Sequence, residues 1–184
     1  MRLFAAVPLP GPARAGMADL LDRLRRQDLP VRWVRDESLH LTLKFFGEVA
    51  PDRLGEIEEA VRAANQGSVP LTMRLDELGA FPDARRPRVL WVGLDAPPAL
   101  ELLQDRMERQ CAAIGFAPEG TPFRPHITLG RVRQGERCSL RSVAEAAAPV
   151  EQIPFLATDL VLYESLPGKG GHRYEPRMTV GLGT

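Results

Sequence analysis

The sequence predicts an α+β fold of two pseudo-symmetric lobes, each a mainly antiparallel sheet with helices on its outer face, set around a central groove. Three recurrences predict it. "SLHLTLKFFGE" (38–48) and "RPHITLGRV" (124–132) place histidine, an aliphatic residue, threonine and leucine in one frame, with His126 lying 86 residues after His40. The strand-like "RLFAAVPLPGPA" and the amphipathic "MADLLDRLRRQ" behind it recur as "RVLWVGLDAPPA" and "LELLQDRMERQ", Leu3 standing against Leu90 at an offset of 87. "PRVLWVGL" recurs as "PRMTVGL", Val92 against Val180 at an offset of 88. Separate stretches that keep one period indicate a duplicated unit.

Along the chain, the opening strand within 2–13 gives way at a proline-rich turn to a helix over 17–27. A short strand follows, and then the first H-x-T strand. The helix over 51–65 carries Leu54, Ile57 and Val61 on one face at helical spacing. Strands over 71–82 and 87–94 close the first half. The second half repeats the order with a helix over 100–110, the second H-x-T strand, a helix over 139–148 and strands over 154–167 and 176–182. Strand 87–94 both closes one half and opens the next. A single bilobal domain over 1–184 is therefore expected, built from repeats of about 1–87 and 88–184 with interleaved strands.

Composition narrows the function. The 24 basic and 24 acidic side chains cancel, which argues against coating long nucleic acid by broad phosphate neutralisation but leaves a local anion pocket open. The apolar run near the N-terminus is broken by Pro8 and Pro10, too short for a signal sequence, and no stretch reaches the roughly 18 apolar residues of a membrane span. Cys111 and Cys138 lack CxxC spacing and read as reduced thiols of a cytoplasmic protein.

Side chains alternate along a strand, so His40, Thr42, Lys44 and Phe46 share one face while Leu39, Leu41, Leu43 and Phe45 share the other, the core face. His126, Thr128 and Gly130 share a face in the second motif, with Ile127 and Leu129 opposite. Each lobe then offers one imidazole and one hydroxyl from a strand anchored by aliphatic packing. Two imidazoles that titrate near neutrality can take and give a proton, and two hydroxyls between them can hold an oxyanion. That equipment opens a phosphodiester without a cofactor. No third His, Asp, Glu or Cys recurs near both motifs, so no metal is expected. Arg124, Arg131 and Lys44 lie close enough in sequence to add positive charge. Parity points Arg131 away from His126 unless the strand twists or ends at Gly130. His172, in the glycine-rich "PGKGGHRYE", has no partner motif and reads as an exposed loop residue.

The two motifs, with "GAFPDARRPRVLWVGL" between them, closely resemble the 2H phosphoesterases. The resemblance covers essentially the whole chain and is to the bacterial and archaeal RNA 2',3'-cyclic phosphodiesterase branch, historically called 2'-5' RNA ligase. It implies hydrolysis of RNA 2',3'-cyclic phosphate ends to 2'-phosphate ends, with neither metal nor cofactor. It implies His40 as general acid and His126 as general base, an order the residues themselves leave open. Thr42, Thr128 and Arg131 would hold the phosphate, with Lys44 as a further phosphate ligand. Phe46 is a candidate to stack on a nucleobase and Arg124 a candidate substrate contact. The expected partners are RNA ends bearing the cyclic phosphate, tRNA fragments among them, or small cyclic nucleotides, bound by a monomer in the cytoplasm. Two rivals remain at this stage: ATP-independent 2'-5' ligation as the main role, and a binding module that holds a nucleotide or RNA end without turnover. Intact histidines in both motifs favour an enzyme.

Overall fold

The computed structural model describes residues 1–168 and 171–183. Nine strands and four helices follow one another as β1 (Arg2–Pro8), α1 (Gly11–Arg25), β2 (Val31–Trp33), β3 (His40–Glu48), α2 (Leu54–Asn65), β4 (Leu71–Phe81), β5 (Val89–Asp95), α3 (Pro98–Ala113), β6 (His126–Val132), α4 (Leu140–Ala147), β7 (Pro154–Ala157), β8 (Asp159–Gly168) and β9 (Gly171–Gly181) among the described residues. Both α1 and α3 begin earlier than the hydrophobic pattern suggests, α1 at Gly11 and α3 at Pro98. Proline in the first turn of each presets φ and gives up an N–H that has no helical partner there.

In space the strands run β7-β4-β5-β6-β3-β1-β8-β9, with β2 against β6, and each pairing among the described residues is antiparallel. The two H-x-T strands meet at the centre, Leu41 opposite Ile127. Outward from this seam, β3 is followed by β1, β8 and β9, and β6 by β5, β4 and β7. The sheet thus repeats itself about the seam, but the lobes are not the sequence halves. β4, from the first half, completes the lobe of β5 and β6, while β8, from the second, completes the lobe of β1 and β3.

The helices cross over as well. α1 packs beside α4 on the lobe of β4 and β7, and α2 beside α3 on the lobe of β3, β8 and β9. Their buried stripes, Met17, Leu20, Leu21 and Leu24 in α1 and Leu100, Leu103, Met107 and Cys111 in α3, join one continuous core under both lobes. No helix among the described residues is long and apolar enough to cross a membrane.

Simple alternation fails at equivalent places in the two central strands. Residues 40–46 and 126–132 bury their side chains in the same order, with two successive buried positions at Leu43–Lys44 and at Leu129–Gly130. Each falls at a register slip, against β1 in one case and β5 in the other. An extra residue in one strand turns every later side chain to the opposite face. At Gly130 a Cβ would lie 2.8 Å from the Arg32 carbonyl oxygen, so only glycine lets β2 approach this closely.

Candidate active site

Continuing the antiparallel register from Leu41 and Ile127 by one residue each way brings His40 against Thr128 and Thr42 against His126, all four on the face opposite the aliphatic pair. Each imidazole is fixed in the same way. His40 Nδ1–H donates to the Ser38 carbonyl at 2.7 Å, and His126 Nδ1–H donates to the Arg124 carbonyl at 2.7 Å. A carbonyl can only accept, so the proton sits on Nδ1 and Nε2 is left to exchange protons. The buried residues Leu39, Leu41, Ile127 and Leu129 anchor the two strands beneath.

The slip at Leu129 brings Arg131 to the histidine face, where simple parity would not put it. Arg131 is exposed, stands beside Arg32 of β2, and lies near enough to Tyr174 to act on its hydroxyl electrostatically. The matching slip at Leu43 requires three corrections to the sequence reading. Lys44 does not face the groove: it is 2 % exposed and donates to Glu108 Oε2 at 2.8 Å and to the Ala117 carbonyl at 2.6 Å. Phe46 is likewise buried, edge-on to Phe116 at 5.1 Å between centroids. Phe45, assigned to the core by parity, is instead 55 % exposed and tilts against Phe4. Arg124 is exposed and touches the site through its carbonyl.

Aromatic walls complete the site, and they lie outside the two histidine motifs. Phe4, Tyr163 and Tyr174 surround His40 with ring centroids 4.8, 6.4 and 5.3 Å away. Phe81 and Trp91 flank His126 at 5.0 and 5.8 Å. A signal was available, because the offset that sets Leu3 against Leu90 also sets Phe4 against Trp91. The walls are unequal: Phe4 pairs with Tyr163, whereas Trp91 pairs with Gly79, where any side chain would overlap the indole. Tyr174 belongs to β9, which starts at Gly171, so His172 lies in a strand and bonds Ser165 Oγ at 3.0 Å instead of occupying a loop. No group of three or more His, Cys, Asp or Glu side chains converges as a metal site among the described residues.

Burial sets the proton affinity of the pair. It pushes His40 down to about 4, with repulsion from His126 adding to the shift and the Ser38 carbonyl opposing it. Burial also lowers His126, against the Arg124 carbonyl. His40 is neutral at pH 7 in the unliganded protein and the shift of His126 also favours its neutral form, yet an acid–base pair needs one proton between them. The singly protonated pair is most abundant between its two macroscopic pKa values, and both lie below the ordinary 6.5 of histidine. The pH profile of kcat/KM, which reports the free enzyme, is therefore expected to peak between 4 and 6.5 and to fall on the alkaline side. In the complex the substrate's negative charge raises both pKa values, so kcat persists to higher pH. A kcat/KM that stays level to about pH 8 would contradict this assignment.

The LigT like Phosphoesterase family model matches residues 7–91 and again residues 92–174. The RNA 2',3'-cyclic phosphodiesterase of Methanothermobacter thermautotrophicus is 37% identical over 133 residues, 72% of either chain. That of Escherichia coli K12 is 32% identical over 182 residues, covering 95% of this chain and 93% of its own. Among solved structures, TT0787 of Thermus thermophilus aligns with a TM-score of 0.82 at 26% identity, over 99% of this chain and 98% of that one. E. coli LigT complexed with 3'-AMP aligns with a TM-score of 0.77 at 27% identity, over 100% and 98%.

Proposed function

The chain belongs to the LigT-like phosphoesterase family, and from that premise we propose that it hydrolyses the 2',3'-cyclic phosphate at RNA 3' ends to a 2'-phosphate by two-histidine acid–base catalysis. The observation that supports this most is the matched pair of imidazoles. Each is held through Nδ1 by a carbonyl two residues upstream, and each has a threonine beside it in the same frame. The names of the relatives supply the reaction class. E. coli LigT, solved with 3'-AMP, supplies a precedent for a phosphate on the ribose edge. The two sequence repeats act as one catalytic unit, each contributing one histidine and one threonine.

His126 Nε2 takes a proton from water, whose oxygen attacks phosphorus opposite O3'. The P–O3' bond breaks as His40 Nε2–H delivers its proton to O3', leaving a 3'-hydroxyl and a 2'-phosphate. Solvent then resets the two rings. Thr42, Thr128 and Arg131 hold the non-bridging oxygens, and no step requires a metal or a cofactor. His40, neutral before substrate arrives, gains its proton as the anionic phosphate enters between the rings. Proton transfers of this kind contribute about 10²–10⁴ each.

The test is incubation of an oligonucleotide bearing a 2',3'-cyclic phosphate in EDTA, with the product end read by phosphorus NMR or by a phosphatase specific for 3' ends. A 2'-phosphate is expected, and turnover is expected to survive the chelator. A predominantly 3'-phosphorylated product would overturn the roles given to His40 and His126. Loss of turnover in EDTA with recovery on one divalent ion would replace the two-histidine mechanism with a metal-assisted one.

A further inference from the structure

Six arginines of the β6 lobe stand outside its ion pairs, whereas Arg74 on β4 is paired with Asp95 on β5. Arg32 on β2, Arg131 and Arg133 at the end of β6, Arg88 before β5, and Arg85 and Arg86 in the β4–β5 connection are all exposed. None of the six side chains closes an ion pair among the described residues. The backbone makes four of them neighbours. Arg32 stands opposite Arg131, the Val132 N–H donates to the Arg88 carbonyl, and the Arg133 N–H donates to the Pro30 carbonyl. A depression of about 440 Å³ opens between Arg32, Arg131 and Arg133, and another of about 670 Å³ lies along Arg85 and Arg86. Asp83 accepts from the Arg85 and Arg86 backbone N–H groups and also attracts both guanidinium groups, so this pair is the less open part of the strip.

The other lobe leaves Arg2 on β1 exposed and without an ion pair among the described residues, but pairs the arginines of its edge strand. The exposed arginines of β9 are neutralised locally, Arg173 by Glu175 at 2.6 Å and Arg177 by Glu164 at 3.5 Å. With 24 charges of each sign, such pairing is available to the whole chain, so six open arginines on one lobe make a directional field. Arg131 belongs to both the strip and the catalytic face. Because a 2',3'-cyclic phosphate ends an RNA, every other phosphate trails from it on the 5' side.

We propose that this strip binds the backbone phosphates of single-stranded RNA upstream of the reacting nucleotide, so that the enzyme favours oligonucleotide ends over mononucleoside cyclic phosphates. The proposal rests on the reading of the catalytic groove given above. Each phosphate neutralised on a single strand adds about 0.7 to the slope of log affinity against log salt. The oligonucleotide should therefore lose affinity steeply as salt rises, and the mononucleotide only weakly.

The experiment compares the wild type with a variant carrying Arg32→Ala, Arg86→Ala, Arg88→Ala and Arg133→Ala, with Arg131 kept. The substrates are a short RNA ending in a 2',3'-cyclic phosphate and adenosine 2',3'-cyclic phosphate. The variant is expected to lose about tenfold or more in kcat/KM on the RNA at low salt, with the salt dependence flattened and the mononucleotide rate within about twofold of wild type. An unchanged rate on the RNA overturns the proposal. So does an equal loss on both substrates, which would place these arginines in the catalytic site or in the fold. If the wild type turns over neither substrate, the hydrolytic reading fails, and fluorescence anisotropy with a 3'-hydroxyl RNA decides the strip. Salt-sensitive binding that the variant lacks upholds it, and absence of binding by the wild type overturns it.

Discussion

Alanine at His40 lowers turnover by about 10²–10⁴, alanine at His126 does the same, and the double variant loses far less than the product of the two. The coupling is the informative part. A base without its acid leaves O3' to depart as an alkoxide, and an acid without its base leaves water unactivated, so the first loss removes most of what the second could. The measurement is steady-state turnover of a cyclic-phosphate oligonucleotide at saturating substrate, paired with thermal melts. The melts are needed because His40 packs against Phe4 and Tyr174, and removing its ring leaves a gap in an aromatic cluster. His40→Asn keeps much of the volume and should melt closer to the wild type while staying as inactive as the alanine variant. Multiplicative losses, or full activity in a destabilised variant, would reduce the histidines to independent structural groups.

Much of this candidate site could be read from the sequence because duplication kept one frame in both halves. The 86-residue separation of His40 and His126 names the two central strands, and alternation correctly sets each histidine and threonine against buried aliphatics. Alternation then misleads at Lys44 and Phe46. A register slip depends on the partner strand, and β1 is distant in sequence from β3. Two adjacent phenylalanines at 45 and 46 are compatible with either face being the buried one. The exchange of strands and helices between lobes was equally hidden: period and polarity show that α1 and α3 are amphipathic, but not which sheet each covers. Tyr174 escaped because glycines at 168 and 171 made the segment read as a loop, when β8 and β9 in fact extend to those residues.

The duplication also explains why the two ends of the groove can differ while the chemistry stays paired. The frame carries His and Thr in both lobes, and the same slip recurs in both central strands. Positions around that frame have diverged. Where one lobe has Phe45 the other has Arg131, and where one has Phe4 beside Tyr163 the other has Trp91 beside Gly79. Burial leaves the Trp91 indole N–H without an acceptor among the described residues, a cost of about 1–3 kcal/mol, on the lobe that also carries Arg131.

The same divergence gives Lys44 a structural part, and it predicts that Lys44→Ala lowers stability by about 3–5 kcal/mol without a specific rise in KM. Its counterpart in the other lobe is Gly130, pressed against β2; here the space beneath the strand is filled by an ammonium group. Lys44 is 2 % exposed and Glu108 13 %, so each charge is out of water and depends on the other. Glu108 also accepts from Gln104 Nε2 and the Glu119 N–H, and Lys44 also donates to the Ala117 carbonyl, so the pair ties β3 to α3 and to the segment leading toward His126. Cys111, pushed up to about 11 by burial in the same region, stays a thiol and offers no replacement charge. Removing the lysine leaves a carboxylate buried without its cation, which for a chain of this size is roughly 6–20 °C in Tm. Lys44→Met with Glu108→Leu removes both charges and should recover much of the loss, because an apolar pair of similar volume avoids the desolvation cost. A phosphate-binding lysine would behave in the opposite way: Lys44→Ala would leave Tm unchanged and raise KM, and the added Glu108→Leu would rescue nothing. Melting curves and KM for the wild type and the two variants therefore separate the two roles of one residue.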